Sequence, residues 1–151
     1  MSREQNLAPG PRPSAPSPIF TWPVRVYWED TDAGGVVYHA AYLRFLERAR
    51  TEWLRQRGIG QQRLRDEAGV MFVVAELNVR YLASARLDDE LDVRIDAFMR
   101  RSASMAFSQC ILRRDDGAKL IEARVRAACI DATSSRPRRI PDGLLQEMTD
   151  A

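Results

Sequence analysis

At 151 residues the chain fits one domain better than two. A domain of this size buries roughly two-thirds of the surface its unfolded chain exposes, so it needs no disulfide or metal to hold it together. The 23 basic and 21 acidic side chains leave a net charge of +2, which argues against a general nucleic-acid binder with its concentrated basic stripe. The hydrophobic share is 45% and the charged share 29%, a globular balance, and no run reaches the ~18 apolar residues of a membrane span.

Residues 1–18 hold five prolines with Gly, Ser and Ala, and read as a disordered arm outside the fold. From Phe20 the pattern changes. Val24, Val26 and Trp28 alternate with Arg25, Tyr27 and Glu29, which predicts a short strand. Asp30-Thr31-Asp32-Ala33-Gly34-Gly35 is a loop of turn formers. A long helix is predicted from about His39 to Arg57, because Tyr42, Phe45, Leu46, Ala49, Trp53 and Leu54 recur at helical spacing. Gly58 is a natural stop, and Gln61 to Ala68 reads as a second, short helix closed by Gly69.

Strands follow. Met71, Val73, Ala75, Leu77, Val79 and Tyr81 alternate with Phe72, Val74, Glu76, Asn78 and Arg80. Leu91, Val93, Ile95 and Ala97 alternate with polar residues, and Met105, Phe107 and Ile111 share a face of the next run. Asp115-Asp116-Gly117 signals a hairpin turn, and Ile121 to Cys129 forms the return strand. Short turns make the strands antiparallel. The fold class is therefore α+β: a five-stranded antiparallel sheet with one face covered by the long helix. The ordered domain spans 19–141, and 142–151 reads as a C-terminal tail.

All but one of the basic residues are arginine, the exception being Lys119. Some guanidiniums could grip phosphates, but composition alone fits a codon or lineage bias better. Cys110 and Cys129 lie in alternating apolar stretches without a CxxC pair and read as buried free thiols of a reducing compartment. The first residues lack a basic segment followed by an apolar one, so the expected location is cytoplasmic.

Reactive groups are densest from Tyr27 to Tyr42, YWEDTDAGGVVYHAAY, which contains His39, the chain's one histidine. No GxSxG is present for a serine nucleophile. The carboxylates are stronger candidates. Asp30 and Asp32 precede a helix start, where unpaired N–H groups and a partial positive charge can hold a developing oxyanion. A carboxylate there can attack an acyl carbon or activate water, and Gly34 and Gly35 let a carbonyl approach the backbone closely. Aspartates placed before a helix are, from spacing alone, more often caps or Asx-turns. A calcium loop is excluded, since its twelfth position would be Ala41 rather than glutamate.

The segment VRVYWEDTDAGGVVYHAAYLRFLERARTEWL resembles the opening motif of the tol-pal-associated acyl-CoA thioesterases, in the hydroxybenzoyl-CoA thioesterase branch of the hotdog superfamily. The family pattern D-x-D-x-x-G-x-V-Y-H-x-x-Y is matched throughout, and a weaker echo follows at YLASARLDD, Tyr81 to Asp89. The likeness covers about Phe20 to Pro141. It implies a hotdog fold, a sheet wrapped around the long helix, and dimers paired edge to edge, often assembled into tetramers, with active sites at the dimer interface. It implies an acyl-CoA substrate, hydrolysed without metal or cofactor. The family's catalytic aspartate falls on Asp32, as nucleophile or general base. Its oxyanion donor, a backbone N–H, falls on His39, whose side chain is placed to touch the thioester or orient water. Tyr27 and Tyr38 match tyrosines lining the site, and Gly35 lies in the substrate-binding loop. Ser84 departs from the family, whose second motif tends to carry proline there; acyl preference need not follow the family.

Two other readings stay open at this stage. One is a non-catalytic scaffold of the cell envelope that binds acyl-CoA or acyl carrier protein. The other is a hotdog dehydratase, which pairs a histidine with a carboxylate of the facing chain. His39 lies beside Asp32 in sequence, which disfavours it.

Overall fold

A computed structural model describes residues 17–149, so nearly all of the proline-rich arm lies outside the described residues. Strand β1 (Phe20–Arg25) pairs antiparallel with β3 (Glu90–Arg100) at one edge of the sheet. An edge is where Pro23, with no N–H to donate, is tolerated. The strand ends sooner than its alternation suggests. The Asp30 carboxylate accepts the Tyr27 N–H at 2.9 Å and folds Trp28–Asp30 into a 3-10 turn. Trp28, expected on the inward face with Val24 and Val26, is therefore 77% exposed.

Helix α1 (Ala41–Gln56) buries the whole predicted stripe, from Tyr42 to Leu54. It begins two residues later than its pattern suggests, because residues 39–40 form a turn closed by the Ala41 N–H on the Tyr38 carbonyl at 2.8 Å. Gly58, at φ +78°, ends it with a left-handed residue that any Cβ would strain. Helix α2 (Gln61–Ala68) falls where the sequence places it.

Strands β2 (Val70–Tyr81), β4 (Ser104–Arg113) and β5 (Lys119–Asp131) complete a five-stranded antiparallel sheet in the order β1-β3-β4-β5-β2. The β4–β5 hairpin turns through the predicted Asp-Asp-Gly. The sheet packs around α1 through Leu91, Val93, Ile111, Ile121 and Ala123 at the end where the helix begins. Ile95, Met105, Phe107 and Val125 enclose Trp53 at the other end.

Two bulges alter the predicted faces. In β2 the register shifts between Val74 and Glu76, so Phe72 and Val74 share the α1 side of the sheet with Leu77, Val79 and Tyr81, and Met71 and Val73 do not. In β3 the shift between Ile95 and Ala97 turns Phe98, not Ala97, toward Phe107, with ring centroids 5.2 Å apart.

The segment read as a C-terminal tail contains a helix, α3 (Asp142–Thr149). Leu144 and Met148, one turn apart, pack it against the Trp53 cluster, and Met148 is 1% exposed. Met148→Ala is expected to cost roughly 2–4 kcal/mol of stability. It would be read as a lower urea midpoint at unchanged slope. An unchanged midpoint would show that α3 stands outside the cooperative unit.

Candidate active site

Residues 30–38 form a small hairpin ahead of α1. The Tyr38 N–H donates to the Asp30 carbonyl at 2.8 Å, Thr31 bridges Val37, and the Asp32 N–H donates to the Val36 carbonyl at 3.0 Å. At the tip, Gly35 sits at φ +76°, the left-handed region that glycine enters without strain.

The two aspartates divide the roles left open by the sequence. Asp30 is 3% exposed. Its carboxylate holds the Tyr27 N–H, with Arg44 at 3.9 Å, so it acts as a structural cap. Asp32 is exposed at the hairpin tip. Its Oδ1 accepts the Gly34 N–H at 2.8 Å in an Asx-turn, while among the described residues nothing occupies Oδ2. The turn orients the carboxylate, and the second oxygen stays available.

His39 and Tyr38 are exposed, and their rings lie 4.5 Å apart. Helix α1 opens on Ala40, whose side chain cannot cap it. The N–H groups of His39 and Ala40 have no hydrogen-bond partner among the described residues. Both donors precede the first residue of the helix, where no earlier turn supplies an acceptor, and so stay available to a ligand. The Tyr27 side chain is 63% exposed, and among the described residues no ring contact or hydrogen bond joins it to Asp32 or His39.

The second motif is built into the same site. Val37 donates to the Ala85 carbonyl at 2.9 Å, and the Ala85 N–H donates to the buried Tyr42 hydroxyl at 2.9 Å. The Tyr81 hydroxyl donates to the His39 carbonyl at 2.9 Å. Arg113 clasps the segment from β4: its Nη2 donates to the Ser84 carbonyl at 2.7 Å and its Nε to Asp89 at 3.2 Å. Sequence reasoning left Tyr81, Tyr42 and Ala40 out of the site. The echo YLASARLDD was the signal pointing to the first of them.

Cysteine chemistry finds no support in the geometry. Cys110 is buried, and that burial, with Asp96 beside it, pushes the thiol up to about 12. A cavity of about 320 Å³ lies on the other face of the sheet, lined in part by Asn78, Arg80, Cys110 and Arg124; it includes neither Asp32 nor His39. No helix among the described residues is long and apolar enough to cross a membrane.

The comparisons agree with this architecture. Residues 26–148 match the model of the thioesterase-like superfamily. The chain is 47% identical over 129 residues to the acyl-CoA thioester hydrolase YbgC of Escherichia coli O6:H1, covering 85% of this chain and 95% of that protein. It is 46% identical over 122 residues to the acyl-CoA thioesterase YbgC of Haemophilus influenzae, covering 81% and 88%. Among solved structures, a probable thioesterase from Bartonella henselae superposes with a TM-score of 0.73 at 35% identity, covering 80% of this chain and 98% of that one. A 1,4-dihydroxy-2-naphthoyl-CoA thioesterase from Synechocystis superposes with a TM-score of 0.80, covering 87% and 96%, and at 21% identity it speaks for the fold alone. The chain belongs to the thioesterase-like superfamily, as a thioester hydrolase of the hotdog fold.

Proposed function

We propose that the protein hydrolyses acyl-CoA thioesters, with Asp32 as the reacting carboxylate and the N–H of His39 as the oxyanion donor. One observation carries the reading: a carboxylate oriented by its own turn, with one oxygen unoccupied, stands on the hairpin that leads into an uncapped helix start. The names of the YbgC relatives support acyl-CoA as the substrate class.

In this mechanism the thioester carbonyl lies against the His39 N–H, where the partial positive charge of the helix start stabilises the oxyanion. Asp32 either attacks the carbonyl carbon, giving a mixed anhydride that water then opens, or removes a proton from an attacking water. Coenzyme A departs as the thiol. Single turnover in ¹⁸O water separates the two routes, since only the anhydride route places label in the Asp32 carboxylate.

The test is thiol release from a panel of acyl-CoAs, short to long and aromatic, by wild type and Asp32→Asn. Release that depends on Asp32 supports the reading, and the best substrate names the acyl class. Failure on every acyl-CoA, with turnover of acyl carrier protein thioesters, would shift the carrier; failure on both would favour a binding scaffold.

The site is shallow in a single chain, with Asp32, Tyr38 and His39 all exposed. The β2 edge bears unpaired main-chain groups beside the exposed side chains Val74, Leu77 and Tyr81. A second copy added at this edge would cover the apolar strip and supply the missing wall, making a dimer or, from two such dimers, a tetramer. Light scattering in solution is expected to give at least twice the mass of one chain, and a monomer at micromolar concentration would refute this.

A further inference from the structure

The helix start offers two adjacent donors, and their orientations are held by different means. The His39 N–H belongs to the peptide whose carbonyl, on Tyr38, accepts the Ala41 N–H at 2.8 Å. The helix itself therefore fixes that peptide. The Ala40 N–H belongs to the next peptide, whose carbonyl, on His39, accepts nothing from the helix but the Tyr81 hydroxyl at 2.9 Å. Tyr81 comes from the end of β2, some forty residues away in the chain. Its ring is held in edge-on contact with Tyr42, centroids 5.9 Å apart, and with His39 at 6.5 Å.

We propose that Tyr81 is a positioning residue of the oxyanion hole: by binding the His39 carbonyl it fixes the His39–Ala40 peptide and so aims the Ala40 N–H as a second donor beside that of His39. The inference rests on the reading of Asp32 and His39 given above. A peptide is a rigid plane, so a bond to its carbonyl sets the direction of its N–H on the opposite side. The same bond polarises the peptide and strengthens the N–H as a donor. Donors set in advance need no reorganisation when the oxyanion develops. A phenol at its ordinary value already keeps its proton at neutral pH, and partial burial shifts that of Tyr81 further upward. The arrangement also gives the second motif a role in the chemistry: the strand that carries Tyr81 leads directly into Ser84 and Ala85, which Arg113 and Tyr42 anchor.

Tyr81→Phe removes the hydroxyl and keeps the ring against Tyr42 and His39. It is expected to lower kcat about tenfold, the rate equivalent of one well-placed hydrogen bond. KM and the melting temperature are expected to stay at wild-type values. Two results would overturn the assignment: kcat unchanged, or kcat, KM and melting temperature shifting together, which marks a packing role. Asp32→Asn is measured in parallel. If it is inactive while Tyr81→Phe is fully active, only the Tyr81 assignment falls. If Asp32→Asn turns over normally, the site reading falls and the Tyr81 assignment with it.

Discussion

Replacing Asp32 with asparagine is expected to lower kcat on the best acyl-CoA by a factor of about 10² or more, some 2.7 kcal/mol of barrier, with KM and stability nearly unchanged. Asparagine suits the test because it separates the two things the carboxylate does. Its amide oxygen can still accept the Gly34 N–H that Asp32 Oδ1 holds at 2.8 Å, so the hairpin tip keeps its turn. The other carboxylate oxygen, which nothing occupies among the described residues, is replaced by an NH₂ group that neither attacks a carbonyl nor accepts a proton from water. Asp32→Ala would confound these effects by releasing the turn as well. Because the side chain is exposed, neither substitution leaves a buried group unpaired, and a large loss of stability is not expected. Asp30 supplies the contrast. It is buried and holds the Tyr27 N–H, so altering it would act through the fold. A kcat within threefold of wild type for Asp32→Asn would remove this residue from the reaction.

The sheet and its covering helix were legible because each rests on a repeated signal. Six residues at helical spacing specify the buried stripe of α1, and all of them are buried. Single-residue events were not legible. The bulges in β2 and β3 each insert one residue, and nothing in VVAEL or RIDAF distinguishes a bulge from continued alternation. Trp28 was misplaced for a related reason: one carboxylate, Asp30, ends the strand by capping the chain three residues before it. Helix α3 was missed because Leu144 and Met148 make a two-member stripe, too short to establish a period. At the site, the resemblance of the first motif, not its spacing, singled out Asp32 and His39, and the fold puts both on one hairpin and its exit. The Tyr81–His39 bond joins residues forty-two apart through a backbone carbonyl, and a carbonyl has no sequence signature.

Trp53→Ala is expected to be the most destabilising of the substitutions considered, at roughly 3–5 kcal/mol. The indole is 1% exposed and closes the far end of the core. Its ring centroid lies 4.8 Å from that of Phe98 and 5.7 Å from that of Phe107, and the Arg57 guanidinium covers it at 4.6 Å. Truncation removes the aromatic contacts and the cation–π contact together and leaves a cavity that Ile95, Met105 and Val125, fixed in strands, cannot collapse to fill. For a domain of this size the melting temperature should fall by about 10 °C. The chemistry should be spared. At 1.5 Å per residue, Trp53 stands about 20 Å along the helix from His39, and it belongs to a different hydrophobic cluster from the one under the helix start. Below its melting transition the variant should therefore keep a near-normal kcat per folded molecule, whereas Asp32→Asn should melt normally and turn over far more slowly. Loss of kcat in folded Trp53→Ala would mean that packing at the far end of α1 determines how its N–H groups meet the substrate, and that the two clusters act as one unit.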